Sequence, residues 1–191
     1  MEHTYIEDQT FERIDFSATA FPAGNYENCT FEACDFSNAD VSGFSFSECQ
    51  FHNCNLSLVK THNTTFTAVR FNGCKLVGLP FDTCNPLLLS VSFENCTLNF
   101  ASFYKRNLKK TLFKRCMLHE VDFTEATLTG SQFDACDLSR AVFENTVLEA
   151  VDFRTAFHYS IDPAINRVKG ARFSLAGIAG LLDKYDIRID S

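Results

Sequence analysis

The residues of this 191-residue chain best able to do chemistry are its nine cysteines. Four fall in one stretch, CTFEACDFSNADVSGFSFSECQFHNC, running from Cys29 to Cys54. Thiolates ligate zinc and pair as disulfides. The spacing favours neither. Cys29, Cys34, Cys49, Cys54, Cys74, Cys84, Cys96, Cys116 and Cys136 each stand two residues before an aromatic or aliphatic residue that recurs every five. Metal ligands would cluster, with well-placed histidines among them. A disulfide framework would not lock to a structural period. The same position is filled elsewhere by Ala39, Val69, Ala101, Val121, Ala126, Ala141, Val151 and Ala156. The cysteines are therefore expected to be free, buried, apolar space-fillers.

Other reactive groups are scattered. His52 and His62 lie ten residues apart, and His158 takes a repeat centre near the C-terminal end. Carboxylates are so frequent that adjacent pairs arise by chance. There is no phosphate-cradling glycine loop and no nucleophile elbow. No enzyme activity, cofactor or metal is expected.

A net charge of -7 disfavours general nucleic-acid binding and suits a basic partner. No apolar run reaches the roughly 18 residues of a membrane span. MEHTYIEDQT lacks the basic-then-apolar order of a secretion signal. The expectation is a soluble cytoplasmic protein whose cysteines stay reduced.

What positions these groups is a repeat. From Phe11 an apolar centre recurs every five residues through Leu56, resumes from Phe66 to Phe81, and restarts two residues late at Phe93. Neither a helix (3.6) nor a flat strand (2) has this period. Blocks such as ACDFSNADV, ENCTLNFASF and EVDFTEATLTGSQFDACDLSRAVF resemble the pentapeptide-repeat proteins. The resemblance implies an all-β solenoid, a right-handed quadrilateral β-helix with four repeats per coil.

Sorting the centres by twenty, with one step of twenty-two, gives the column Phe11, Phe31, Phe51, Phe71, Phe93, Phe113, Phe133, Phe153. The next face carries a cysteine ladder, Cys34, Cys54, Cys74, Cys96, Cys116 and Cys136. Like stacks on like at the ~4.8 Å strand spacing, so about eight coils would make a rod of roughly 38 Å. Residues 1–10 are expected as a lead-in, 11–160 as the β-helix, and 161–191 as a C-terminal cap.

In the cap, Ser174 is expected to start a capping α-helix near 174–185. Leu175, Ile178, Leu182 and Tyr185 would line one stripe of it, with a short strand over 186–190. This tail is similar to that of the Qnr and MfpA subgroup, whose members dimerise through it. A homodimer is the implied state.

Two irregularities stand out. CNPLLLSVSF, residues 84–93, holds the two-residue slip, and Leu87, Leu88 and Leu89 cannot all face inward. Arg106 takes a position that should be small and buried, stacked on the Cys84 site, so a distortion giving it solvent is expected.

Charge is segregated. Residues 1–60 hold ten acids and two bases, and residues 120–162 nine acids and two bases. Between them Lys105, Arg106, Lys109, Lys110, Lys114 and Arg115 form a basic patch. The acidic surface is expected at Glu32, Asp35, Asp40, Glu48, Asp122, Asp134, Asp137, Glu144, Glu149 and Asp152. The resemblance implies an acidic rod that binds DNA gyrase or topoisomerase IV in place of duplex DNA and guards it from quinolones. The alternative is a protein-interaction scaffold using the 86–92 bulge and its basic neighbours. Direct nucleic-acid binding and membrane association are not expected.

Overall fold

The structure, a computed structural model, describes residues 4–19 and 21–188. It is an all-β parallel solenoid. Ten strands follow in chain order: β1 Thr4–Glu7, β2 Thr10–Glu12, β3 Gly24–Glu27, β4 Thr30–Glu32, β5 Ser45–Ser47, β6 Gln50–His52, β7 Thr65–Asn72, β8 Leu89–Glu94, β9 Leu112–Lys114 and β10 Gln132–Asp134. Every pairing is parallel, each strand lying on the strand one coil away: Phe11 faces Phe31, Phe31 faces Phe51, and Phe113 faces Phe133. Residues 4–7, expected as lead-in, already pair with β3.

The five-residue period is written in the backbone. From Asn28 to Gly78, and again from Asn95 to Ala150, every fifth residue has positive φ. Each is a corner of the square coil, where one left-handed residue turns the chain. Glycine and asparagine adopt this conformation readily, whereas other L-residues sacrifice about 1–2 kcal/mol each. The ladder offsets that cost. Corner N–H groups donate to the adjacent coil, as Asn28 does to Ser47 O at 2.9 Å and Lys110 to Thr129 O at 3.0 Å.

Between corners, two side chains point in and two point out. The first face stacks Phe11 through Phe153 and continues one step further, to Phe173, with adjacent ring centroids 4.6–5.4 Å apart. The third face opposes it with Phe81, Phe103, Phe123 and Phe143. The two columns meet edge to face, Phe113 on Phe123 at 86°. Regular strands span about six turns of the expected eight, and beyond β10 the coil proceeds as isolated bridges such as Asp152↔Arg172. In these bridges the paired residue is the one just before each apolar centre, as Asp152 is before Phe153.

All nine cysteines are free and buried. They do more than fill space. Cys54 Sγ donates to Phe31 O at 3.3 Å, Cys74 to Phe51 O at 3.3 Å and Cys96 to Phe71 O at 3.4 Å. The same inward position elsewhere holds Thr64, Ser131, Thr146 and Asn166, each donating to the equivalent carbonyl of the coil before it. The position takes a small residue, with a donor in these repeats and alanine or valine in others.

The slip is a bulge. Phe66 pairs with Leu89, but Val69 pairs with Val91 and Phe71 with Phe93. Leu89 packs against the core, while Leu87 is 88% and Leu88 51% exposed. Arg106 is half-buried. Its Nη1 donates to Cys84 O at 3.4 Å and its Nε to Tyr104 O at 3.3 Å, so the guanidinium is not left unpartnered in the core.

The C-terminal cap corrects the expected α-helix. Ile178–Leu181 and Asp183–Tyr185 are short 3-10 turns. Ser174 does cap the entry, its Oγ accepting from Gly177 N at 3.1 Å. The backbone of Gly177 and Gly180 then lies directly on Tyr159. A Cβ at Gly180 would come 2.0 Å from Tyr159 O, and one at Gly177 2.0 Å from the Tyr159 hydroxyl. Ile161 N donates to Gly180 O at 2.9 Å, which fastens the cap to the last coil. This docking wins over the helical pattern. Asp186 turns left-handed, 187–188 have no regular structure, and the remainder of the expected 186–190 strand lies outside the described residues. Among the described residues, no helix is long and apolar enough to cross a membrane.

Candidate functional site

The outward positions of the repeat form straight rows, so each surface group has neighbours one coil above and below, about 4.8 Å away. On the first two coils this places carboxylate against carboxylate. Glu7 faces Glu27, Glu12 faces Glu32, and Asp15 faces Asp35. Like charges directly opposed in a ladder destabilise it.

Neutral donors organise this end. Tyr5 donates its hydroxyl to Glu27, and the Tyr5 phenol is pushed up to about 12, chiefly by that bond. Asn28 donates to Asp8 at 2.6 Å and Asn53 to Glu32 at 3.1 Å. Ser17 N and Ser42 N donate to Asp15 and Asp40, and hydrogen bonds from those serines hold both carboxyls below the usual range. Among the described residues, Glu7, Asp8, Glu12, Asp15, Glu27, Glu32, Asp35, Asp40 and Glu48 make no ion pair.

The C-terminal acidic segment is different. Glu149 pairs with Arg167 at 2.7 Å, Asp152 with Arg154 at 2.7 Å, Asp162 with Lys184 at 2.6 Å, and Glu120 with Arg140. Asp137 Oδ2 meets His119 Nε2 at 2.9 Å and Asp137 Oδ1 meets His158 Nδ1 at 3.0 Å. Ser139 also donates to Asp137, at 2.6 Å. Burial alone would raise the Asp137 carboxyl, but the bonds from Ser139, His119 and His158 hold it far below the usual range. Of the acids expected on this surface, Asp122, Asp134 and Glu144 make no ion pair among the described residues, while Asp137, Glu149 and Asp152 are engaged. Bases one coil away compensate the acids. That signal lies in the sequence when it is read at a spacing of about twenty, as for Glu120 and Arg140.

The basic patch is also partly compensated. Lys114 pairs with Glu94 at 2.9 Å, Arg115 with Glu94 at 3.5 Å, and Lys105 with Glu125 at 3.4 Å. Lys109 and Lys110 are exposed and make no ion pair among the described residues. They lie one coil beyond the exposed Leu87 and Leu88. The cap's expected stripe is exposed too, at Leu175, Ile178 and Tyr185, with Leu182 half-buried. Among the described residues, the unpaired carboxylates are thus concentrated in the N-terminal half of the rod, with Asp122, Asp134 and Glu144 unpaired beyond it.

Comparison with known proteins agrees with the architecture. The family model for the pentapeptide repeat region matches residues 4–81 and 87–156, with a break over 82–86 at the edge of the slip. Among solved structures, a trypsin-treated variant of QnrB1, described as a plasmid-mediated fluoroquinolone resistance protein, has a TM-score of 0.63 at 20% identity, with 98% of each chain covered. A second such variant gives 0.62 at 20% identity, with both chains covered completely. HetL, a pentapeptide repeat protein involved in heterocyst differentiation regulation in Nostoc sp., gives 0.50 at 14% identity over 89% of this chain and 87% of its own. No curated protein sequence matches. The repeat, its coil and the family match agree: the chain belongs to the pentapeptide-repeat proteins, with a Qnr-like fold.

Proposed function

We propose that this protein is a non-enzymatic binding rod whose N-terminal coils engage a type II DNA topoisomerase, gyrase or topoisomerase IV, in place of duplex DNA, and so protect it from quinolones. The observation that carries the reading is the stacked, unneutralised carboxylates Glu7/Glu27, Glu12/Glu32 and Asp15/Asp35. They are ordered anions at fixed spacing on a rigid ladder, held at a cost to the fold. A groove built for phosphates relieves that repulsion and returns it as affinity. The exposed C-terminal stripe Leu175, Ile178, Leu182 and Tyr185 pairs two rods into a homodimer. The test is binding of the protein to immobilised gyrase and topoisomerase IV with linear duplex DNA as competitor. Binding displaced by DNA and lost at high salt supports the reading, and binding indifferent to both sinks it.

A second reading has its own observation. Leu87 and Leu88 project from the slip beside the unpaired Lys109 and Lys110, and exposed apolar residues rimmed by charge mark interfaces. A scaffold using this surface would lose its partner on Lys109→Glu with Lys110→Glu, a change that leaves or improves topoisomerase binding by acidic mimicry.

A further inference from the structure

The corner between the second and third faces carries Asn38, Leu58, Gly78, Phe100, Glu120 and Arg140 on successive coils, all with positive φ. Asparagine and glycine suit that conformation, and Glu120 and Arg140 pair with each other. Leu58 and Phe100 fit neither case. Both are bulky, both sit in a backbone region L-residues avoid, and they are 60% and 58% exposed. The fold gains little burial in return for the strain. Left-handed corners recur throughout the rod, so what sets these two apart is a large apolar side chain left exposed.

The two side chains belong to one ridge. Leu58 leans across Gly78, so close that a Cβ there would stand 2.8 Å from its Cδ2. Half-buried Val77 and Pro80 flank the glycine. From Leu58 to Phe100 the ridge crosses three coils, about 10 Å. Exposed Lys60 and Lys75 stand on the two adjoining faces, and neither is ion-paired among the described residues. Asp40 is the carboxylate beside Lys60, one coil below it. An apolar ridge between lysines is the complement of apolar side chains between carboxylates. An anionic membrane is a poor match, since the chain carries a net charge of -7 and the ridge is narrow.

We propose that the Leu58–Phe100 ridge docks an acidic segment of a partner protein that presents large apolar side chains between carboxylates. The surface lies apart from the N-terminal carboxylates and stands whether or not a topoisomerase is bound there. The probe is a fluorescein-labelled peptide alternating Leu and Phe with Asp and Glu, followed by anisotropy, beside its Lys-substituted counterpart. The acidic peptide is expected to bind, with affinity falling about tenfold or more in Leu58→Asn and in Phe100→Asn. Affinity should also fall in Lys60→Gln with Lys75→Gln. Both asparagine variants should melt at or above the parent temperature, because asparagine tolerates the left-handed corner. The proposal is overturned if the acidic peptide does not bind, if the basic one binds equally, or if either asparagine variant binds as well as the parent. It is also overturned if the asparagine variants melt lower, which would assign the side chains to packing. Phe100-dependent binding to mixed phosphatidylcholine and phosphatidylglycerol vesicles would overturn it too.

Discussion

Phe93 stacks on Phe71 with centroids 5.4 Å apart and planes 10° from parallel, although twenty-two residues separate them where every other step of the column takes twenty. The coil keeps its stack by expelling the surplus as the bulge at Pro86–Leu88. Deleting Pro86 and Leu87 would restore the period and bring Leu88 to the core position that Leu89 now fills. The expected product folds and melts within a few degrees of the parent. A collapse in thermal stability would show that the bulge is part of the fold.

The thiol ladder gives a sharper test. Burial pushes the Cys49 and Cys84 thiols up to about 12. All nine thiols should resist alkylation in the native protein and all nine should titrate after denaturation without reductant. Cys74→Ser keeps a donor to Phe51 O and should cost about 1 kcal/mol. Cys74→Leu overpacks the ladder and should cost about 1–3 kcal/mol, read from denaturant midpoints.

Asp137 sets an acid limit on the last coils. Its carboxyl is depressed in the folded state, so its contribution is complete above the ordinary Asp value of ~3.9 and is lost as pH falls below that value. Asp137→Asn should lower stability by roughly 2 kcal/mol at pH 7. The gap between variant and parent should narrow as the medium is acidified below about pH 4. A gap independent of pH would contradict the assignment.

The C-terminal stripe makes a prediction about assembly. Leu175 is exposed and supports nothing in its own chain, so Leu175→Glu should leave the melting temperature unchanged. If the stripe is the dimer interface, the variant runs as a monomer in size exclusion with light scattering while the parent runs as a dimer. A variant that stays dimeric would place the interface elsewhere.

The regular part of this molecule was legible because identical residues stack on themselves. The phenylalanine column, the cysteine ladder and the slip all follow from sorting positions by the coil. The cap was misread for a physical reason. Leu175, Ile178, Leu182 and Tyr185 have helical spacing, but Gly177 and Gly180 answer to Tyr159, far from them in sequence. The charge map was half-read. Runs of acid along the chain suggest two anionic surfaces, whereas Arg140, Arg167 and Arg172 reach back about one coil to pair with Glu120, Glu149 and Asp152 of the second.

The central claim is that the N-terminal carboxylates stand in for DNA on a topoisomerase. The most direct measurement is gyrase supercoiling with purified protein, with and without a fluoroquinolone, beside the variant Glu12→Gln, Glu32→Gln, Asp35→Asn. The expected result is dose-dependent inhibition without drug or rescue with it, both weakened in the variant, which should remain folded because it relieves like-charge contacts. No effect of the parent at tens of micromolar on gyrase from its own host, or an effect the variant retains in full, would contradict the account.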